Sequence, residues 1–288
     1  MALVDLQQLR LLSRHRLKLK GVLAAEKNRL HKVLNDAGIR LGGVVSDIHG
    51  ASAQAMIEGL IAGQPLTVLV GYARGRMKAQ CPELRQALDE PLSERHRLLL
   101  DELHQHIRFL EQHLQRLEQQ LLAGMAPYQR QWQLLQTIPG IDGISAAMLI
   151  AGIGVEMSRF GRAERLGCWA GRCPGTHESA GKRKAVRTRK GNRVLRQVVC
   201  EIANAACKTQ SQFKGKYQAL VIRRGHKRSI MAVGHKLLPV VYAVLNTDQP
   251  YRDPEIDYEA LVVAKNAPRW LRALKKYGYL NRSRSVAA

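Results

Sequence analysis

Residues 174–197, PGTHESAGKRKAVRTRKGNRVLRQ, place one hydroxyl, Ser179, ahead of eight basic residues: Lys182, Arg183, Lys184, Arg187, Arg189, Lys190, Arg193 and Arg196. No acidic residue interrupts the basic run. A serine hydroxyl is a poor nucleophile near neutral pH, so chemistry there needs a base or a metal to take its proton and cations to hold the charge that builds on the attacked group. A loop of this composition folded over a phosphodiester would supply those cations. Attack would join DNA to Ser179, free one hydroxyl end and keep the ester's energy for rejoining. Taken alone, the same residues read first as a turn serine before a phosphate-binding loop.

Rival chemistries fail locally. Ser179-Ala-Gly-Lys182 spells the S-x-x-K of serine acylases, but no S-D-N or K-T-G follows. His177-Glu178-Ser179 is a triad only in spelling, because a triad is a spatial arrangement. A DNA glycosylase would want an Asp beyond the hairpin described next, and Glu178 to Glu201 contains none. Cys168, Cys173 and His177 tempt a zinc reading, yet structural zinc motifs bring closely spaced ligand pairs, and the five cysteines include no C-x-x-C. No metal is assigned to this chain.

A second motif lies upstream. LLQTIPGIDGISAAMLIAGIG has the form of a helix-hairpin-helix, with a tight turn at Ile138-Pro-Gly-Ile141 and a second helix from about Ile144. Gly140 and Gly143 would let backbone amides face outward at a helix N-terminus, a pocket suited to a phosphate of duplex DNA without reading its sequence. Asp142 suits that role less well than Gly or Lys would.

The whole composition agrees with an anionic partner. The 288 residues carry 46 Lys and Arg against 23 Asp and Glu, a net charge of +23. From Arg165 to Lys236 there are eighteen Lys or Arg and two acids, Glu178 and Glu201, a local excess of sixteen. A surface kept soluble by charge would mix its signs, so DNA is the expected partner. A membrane is not expected: no continuous apolar run of about 18 residues is read, and Arg10, Arg14 and Arg16 break any signal-peptide core. The expected location is the cytoplasm.

The elements that must carry these motifs are helical. Apolar residues Leu19, Leu23, Leu30, Val33 and Leu34 predict one long helix from about Asp5 to Ala37, followed by shorter helical pieces to about Asp89. Leu100, Leu103, Ile107, Leu110, Leu114, Leu117 and Leu121 alternate spacings of three and four, the seam of a coiled coil, capped by Ser93 and ended at Gly124-Met-Ala-Pro127. This helix can pair with the first as an antiparallel hairpin, or each can meet a copy; a homo-oligomer through the coil is the expected assembly. SIMAVGHKLLPVVYAVL reads as a core helix, and Asp253, Glu255, Asp257 and Glu259 as a solvated linker rather than a cation site. The fold class is mainly α, a helical and coiled-coil N-terminal half followed by a helical domain containing the hairpin. The expected divisions are 1–90, 91–126, 127–247 and a basic tail, 248–288.

The order of EKNRLHKVLNDAGIRL, VVSDIHGASAQAMIEGLIAG, TIPGIDGISAAMLIAGIG, the P-G-x-x-E-S-x-G-K-R segment, R-K-G-N-x-x-L-R and PYRD resembles the IS110 family of bacterial insertion-sequence transposases across nearly the whole chain. The resemblance implies that Ser179 is the recombinase nucleophile. It implies an N-terminal RuvC-like domain whose four DEDD acids bind Mg²⁺, dimers or tetramers, and, in many members, a structured guide RNA. None of the four acids maps onto a residue here. The expectation is therefore a truncated copy, an internal-start product or one half of a split gene, with Mg²⁺ entering only with the RuvC-like domain. The function expected is DNA transposition; the alternative is a non-catalytic nucleic-acid-binding remnant or regulator.

Overall fold

The computed structural model describes residues 2–172, 178–179, 182–183, 191–254 and 256–279. Among them are twelve α-helices: α1 (Ala2–Asp36), α2 (Leu41–Val44), α3 (Ala51–Ile61), α4 (Leu66–Gly71), α5 (Cys81–Leu88), α6 (Glu94–Ala123), α7 (Gln129–Gln136), α8 (Gly143–Ile153), α9 (Ala163–Trp169), α10 (Arg193–Ala206), α11 (Gln212–Thr247) and α12 (Tyr258–Lys276). Two short strands, β1 (Glu178–Ser179) and β2 (Lys182–Arg183), pair antiparallel. The mainly α class follows directly. The chain forms two compact units, Arg14–Gln120 and Met1–Ser13 with Leu121–Ala288.

In the first unit the apolar stripes of α1 and α6 close a core. Leu30, Leu34, Leu100 and Ile107 are buried together with Ile39, Leu41, Met56, Ile57 and Leu84 of the intervening helices. Each fully buried side chain of this size contributes about 1.5–3 kcal/mol, which drives the pairing of two otherwise polar helices. Ion pairs fix its direction: Arg16 Nε meets Glu118 at 2.8 Å, Lys27 meets Glu111 at 2.7 Å, and Asp36 faces His96 at 3.3 Å. Numbers rise along α1 as they fall along α6, so the two run antiparallel within one chain. The Ser93 hydroxyl accepts from the His96 amide at 3.3 Å at the start of α6. The α6 seam residues Leu100, Ile107 and Leu110 belong to this internal core.

The second unit places the motifs. Helix α7 packs on α8 and α11, α8 packs on α10, and α9 and α10 both pack on α11. Leu135, Leu149, Leu166, Val199, Phe213, Leu237 and Leu238 are among its fully buried side chains. Helix α11 breaks at Gly225 (φ 72°, ψ 167°), a conformation that favours glycine, so its N-terminal third turns away from the core segment. By length and hydropathy α11 is apolar enough to cross a membrane, where the sequence predicts no apolar run of about 18 residues. Here Ile230, Val233, Leu237, Leu238 and Val241 of that helix are buried in the fold.

The acidic stretch after α11 is more than a linker. Asp253 accepts from the Gln212 amide at 3.0 Å and from the Tyr251 hydroxyl at 2.9 Å, and Asp257 caps α12 by accepting from the Ala260 amide at 2.9 Å. Gln212 Nε2 donates to the Tyr251 oxygen at 2.8 Å, and Phe213 stacks on the Tyr251 ring. The PYRD segment thus clasps the start of α11.

Candidate nucleic-acid interface

A tight turn joins α7 to α8 at Pro139-Gly140, where the sequence predicts one. The Ile141 amide closes the turn on the Ile138 carbonyl at 3.1 Å, and Gly140 takes φ +85°, a left-handed conformation. A Cβ there would lie 2.4 Å from the Ala206 amide nitrogen and 2.7 Å from its Cα. Gly140 is therefore the point where the turn touches the end of α10. Gly143 is held against protein in a comparable way. Its carbonyl accepts from Trp132 Nε1 at 2.8 Å, and an added Cβ would stand 3.0 Å from that indole.

The N-terminus of α8 is already occupied. Asp142 is its N-cap, and the carboxylate accepts from the Ser145 amide at 2.7 Å. The groove in front of it is lined by Gly140, Ile141, Asp142 and Ser145 of the hairpin and by Glu201, Ile202 and Ala205 of α10. Two carboxylates thus face the opening where the sequence reading places a phosphate. The contacts of Gly140 and Gly143 are with protein.

In the serine segment the backbone register pairs Ser179 with Lys182 and Glu178 with Arg183. The side chains of these four residues, and the whole of Lys184, Arg187, Arg189, Lys190, Cys173 and His177, lie outside the described residues. Helix α10 begins straight after them. Asn192 caps it, its side-chain oxygen accepting from the Val194 and Leu195 amides at 3.1 and 3.2 Å. Arg193 stands exposed on the first turn, and Arg196 is half-buried one turn on. These two bring positive charge to the helix end whose dipole is also positive.

Two features here escaped the sequence reading. The first is the approach of Gly191 to Gly171: a Cβ on Gly191 would lie 2.3 Å from the Gly171 nitrogen and 2.5 Å from its Cα. The signal was present in the R-K-G-N motif, whose glycine has no other evident role. The second is Arg172, 3% exposed. Its guanidinium donates to the Arg196 carbonyl at 2.8 Å, to Cys200 Sγ at 3.1 Å and to Met231 Sδ at 2.9 Å, while Nε has no hydrogen-bond partner. Burial pushes its pKa below the ordinary guanidinium value.

Among the described residues no group of three or more His, Cys, Asp and Glu is placed to hold a metal ion. Cys81, Cys168, Cys200 and Cys207 are free thiols, and burial pushes Cys207 up to about 11.

Residues 132–218, which run from the first hairpin helix through the serine segment and α10 into α11, match the model of the transposase IS116/IS110/IS902 family. This segment is similar to the transposase domain of that family. Over 136 residues the chain is also 29% identical to the transposase for insertion sequence element IS1111A of Coxiella burnetii (strain RSA 493 / Nine Mile phase I). That alignment covers 46% of this chain and 37% of the relative, so the chain spans little more than a third of the curated protein it matches. Ser179, all eight basic residues behind it, Gly140, Gly143, Arg172 and Gly191 fall inside the matched segment.

Proposed function

We propose that this transposase domain binds DNA and exchanges strands through Ser179. The Ser179 oxygen attacks a phosphodiester phosphorus, forming a Ser–O–P bond and breaking the bond to one strand oxygen. The serine proton passes to a base, and the departing oxygen leaves as a free hydroxyl. Reversal with a different hydroxyl rejoins DNA without an external energy source. Lys182, Arg183, Lys184, Arg187, Arg189, Lys190, Arg193 and Arg196 neutralise the backbone and the charge that develops on the phosphorus oxygens.

The observation that carries this reading is positional. The family's transposase domain contains Ser179 on a strand in register with Lys182 and ends its basic run on the positive N-terminus of α10. The hairpin takes the part of a scaffold, because its glycines pack on protein and its mouth carries Asp142 and Glu201. In this reading the chain contributes the nucleophile and the grip on DNA, and Mg²⁺ enters only with a RuvC-like domain. A structured RNA is a second polyanion suited to the same face, and a homo-oligomer would use surfaces other than the seam buried inside the first unit. A DNA-handling protein of this kind works in the cytoplasm.

The test is to incubate the chain with element-end duplex, with and without a separately supplied RuvC-like domain, and to map any covalent adduct by mass spectrometry. An adduct on Ser179 that vanishes in Ser179→Ala, with DNA binding intact, is the expected result. An adduct on another residue overturns the nucleophile. Tight binding with no adduct in either condition supports the non-catalytic nucleic-acid-binding reading instead.

A further inference from the structure

The segment that carries Ser179 leaves the described fold at Arg172 and returns to it at Gly191, and these two ends meet. Gly191 lies so close to Gly171 that even a methyl group would overlap its backbone, and the Asn192 amide donates to the Trp169 carbonyl at 3.3 Å. Gly171 itself takes φ +69° as α9 ends. The residues that flank 173–190 are therefore packed directly against each other.

Arg172 is the side chain driven in at this junction. It is buried between α10 and α11: its guanidinium bonds the Arg196 carbonyl and Cys200 of α10 and Met231 of α11, and it lies against the position a Cβ would take on Gly234. Two of these three acceptors are sulfur, the weakest hydrogen-bond acceptors a side chain offers. No carboxylate among the described residues pairs with it, and one N–H is left without a partner. A buried cation so poorly compensated opposes stability, and a methionine of similar length would fill the same space at no electrostatic cost. A residue chosen for folding alone would not be this one.

We propose that Arg172 and Gly191 form a clamp that fixes the two ends of the Ser179-bearing segment on α10 and α11, making Arg172 a positioning residue for the strand-exchange step. This rests on the reading of Ser179 as the nucleophile. The fork of the guanidinium ties the last residue before that segment to the first two turns of α10, the helix that presents Arg193 and Arg196. A serine on a segment with tethered ends spends more of its time in line with the phosphorus; with the ends loosened the phosphate contacts survive and the attack geometry does not.

The experiment compares the full chain with Arg172→Met and, independently, Gly191→Ala. Three readouts are taken: tryptic cleavage within 182–190 relative to cleavage elsewhere in the same sample, affinity for element-end duplex, and the rate of the Ser179 adduct. In Arg172→Met the segment is expected to be cut at least about fivefold faster relative to the rest of the chain, with a melting temperature no lower than that of the parent. The adduct rate is expected to fall at least about tenfold while the dissociation constant stays within about twofold. Gly191→Ala is expected to move the cleavage ratio and the adduct rate the same way. Cleavage ratios of both variants within about twofold of the parent overturn the clamp. So does an unchanged adduct rate in variants whose segment is cut faster. A parent chain that forms no Ser179 adduct refutes the nucleophile and with it the positioning role, whereas the cleavage ratio still decides whether the two ends are clamped.

Discussion

Replacing Gly140 by alanine separates the two roles a glycine in this hairpin can have. If it presents an amide to phosphate, the substitution weakens DNA binding and leaves the fold alone. If it is the contact between the turn and α10, the fold suffers and DNA binding by the folded protein does not. The geometry favours the second. Gly140 holds φ +85°, where a Cβ costs about 1–2 kcal/mol. The new methyl would also stand 2.4, 2.7 and 2.8 Å from the nitrogen, Cα and Cβ of Ala206. None of those is the far end of a flexible side chain, so α10 or the turn must shift, at a further cost of about 1–3 kcal/mol. The sum, about 2–5 kcal/mol, is a large part of a typical stability of about 5–15 kcal/mol. For a unit of this size each kcal/mol moves the midpoint by about 2–4 °C, so a fall of about 4–20 °C is expected in thermal unfolding followed by circular dichroism. DNA affinity measured well below that midpoint should stay within about twofold. A midpoint within about 1 °C of the parent, together with a clear loss of affinity, would refute this reasoning and restore the amide as a phosphate ligand.

Three other substitutions or titrations examine the rest of the second unit. Asp253→Ala removes the acceptor of the Gln212 amide and of the Tyr251 hydroxyl, and is expected to cost about 2 kcal/mol in urea denaturation; a loss under about 0.5 kcal/mol would mean the clasp contributes nothing. Tyr251 itself is pushed up to about 12, chiefly by burial, from an ordinary value of 10.0. Between those two values the unfolded chain releases a proton that the folded chain keeps, so stability falls as pH rises through that window and does not depend on this group below it. Phenolate absorbance should show one tyrosine titrating late, and Tyr251→Phe should remove it; a late group that survives the substitution is some other residue. Cys207, pushed up to about 11 by burial, should resist alkylation at neutral pH until the protein is denatured, whereas exposed Cys168 is labelled at once; equal labelling of the two in the native protein contradicts the burial.

What the sequence made legible was local and periodic. The α6 seam could be read because residues three and four apart fall on one helix face, and Leu100, Ile107 and Leu110 are indeed buried. The long first helix, expected from about Asp5 to Ala37, runs Ala2–Asp36, because no glycine or proline in a breaking position interrupts it before Asn35-Asp-Ala-Gly38. The hairpin turn could be placed from Pro139-Gly140 for the same local reason. The partner of Gly140 could not, since Ala206 is brought to it only by packing of α8 on α10. A positive φ says that glycine is required and nothing about what presses on it. The inference that its amide faces a phosphate supplied that missing neighbour from the hairpin's general chemistry.

Arg172 shows the same limit from the other side. In a stretch where eighteen basic residues crowd between Arg165 and Lys236, any single arginine reads as surface charge, and burial is decided by helices that begin 21 and 40 residues later. Only once α10 and α11 are folded does that guanidinium find its place, pointing at two sulfurs and a carbonyl. A cation that opposes folding and yet sits at the end of the segment bearing Ser179 has a cost that stability does not repay. Function is the remaining term that can repay it, and the length of Arg172 is what allows one side chain to reach α10 and α11 together from the last residue before that segment.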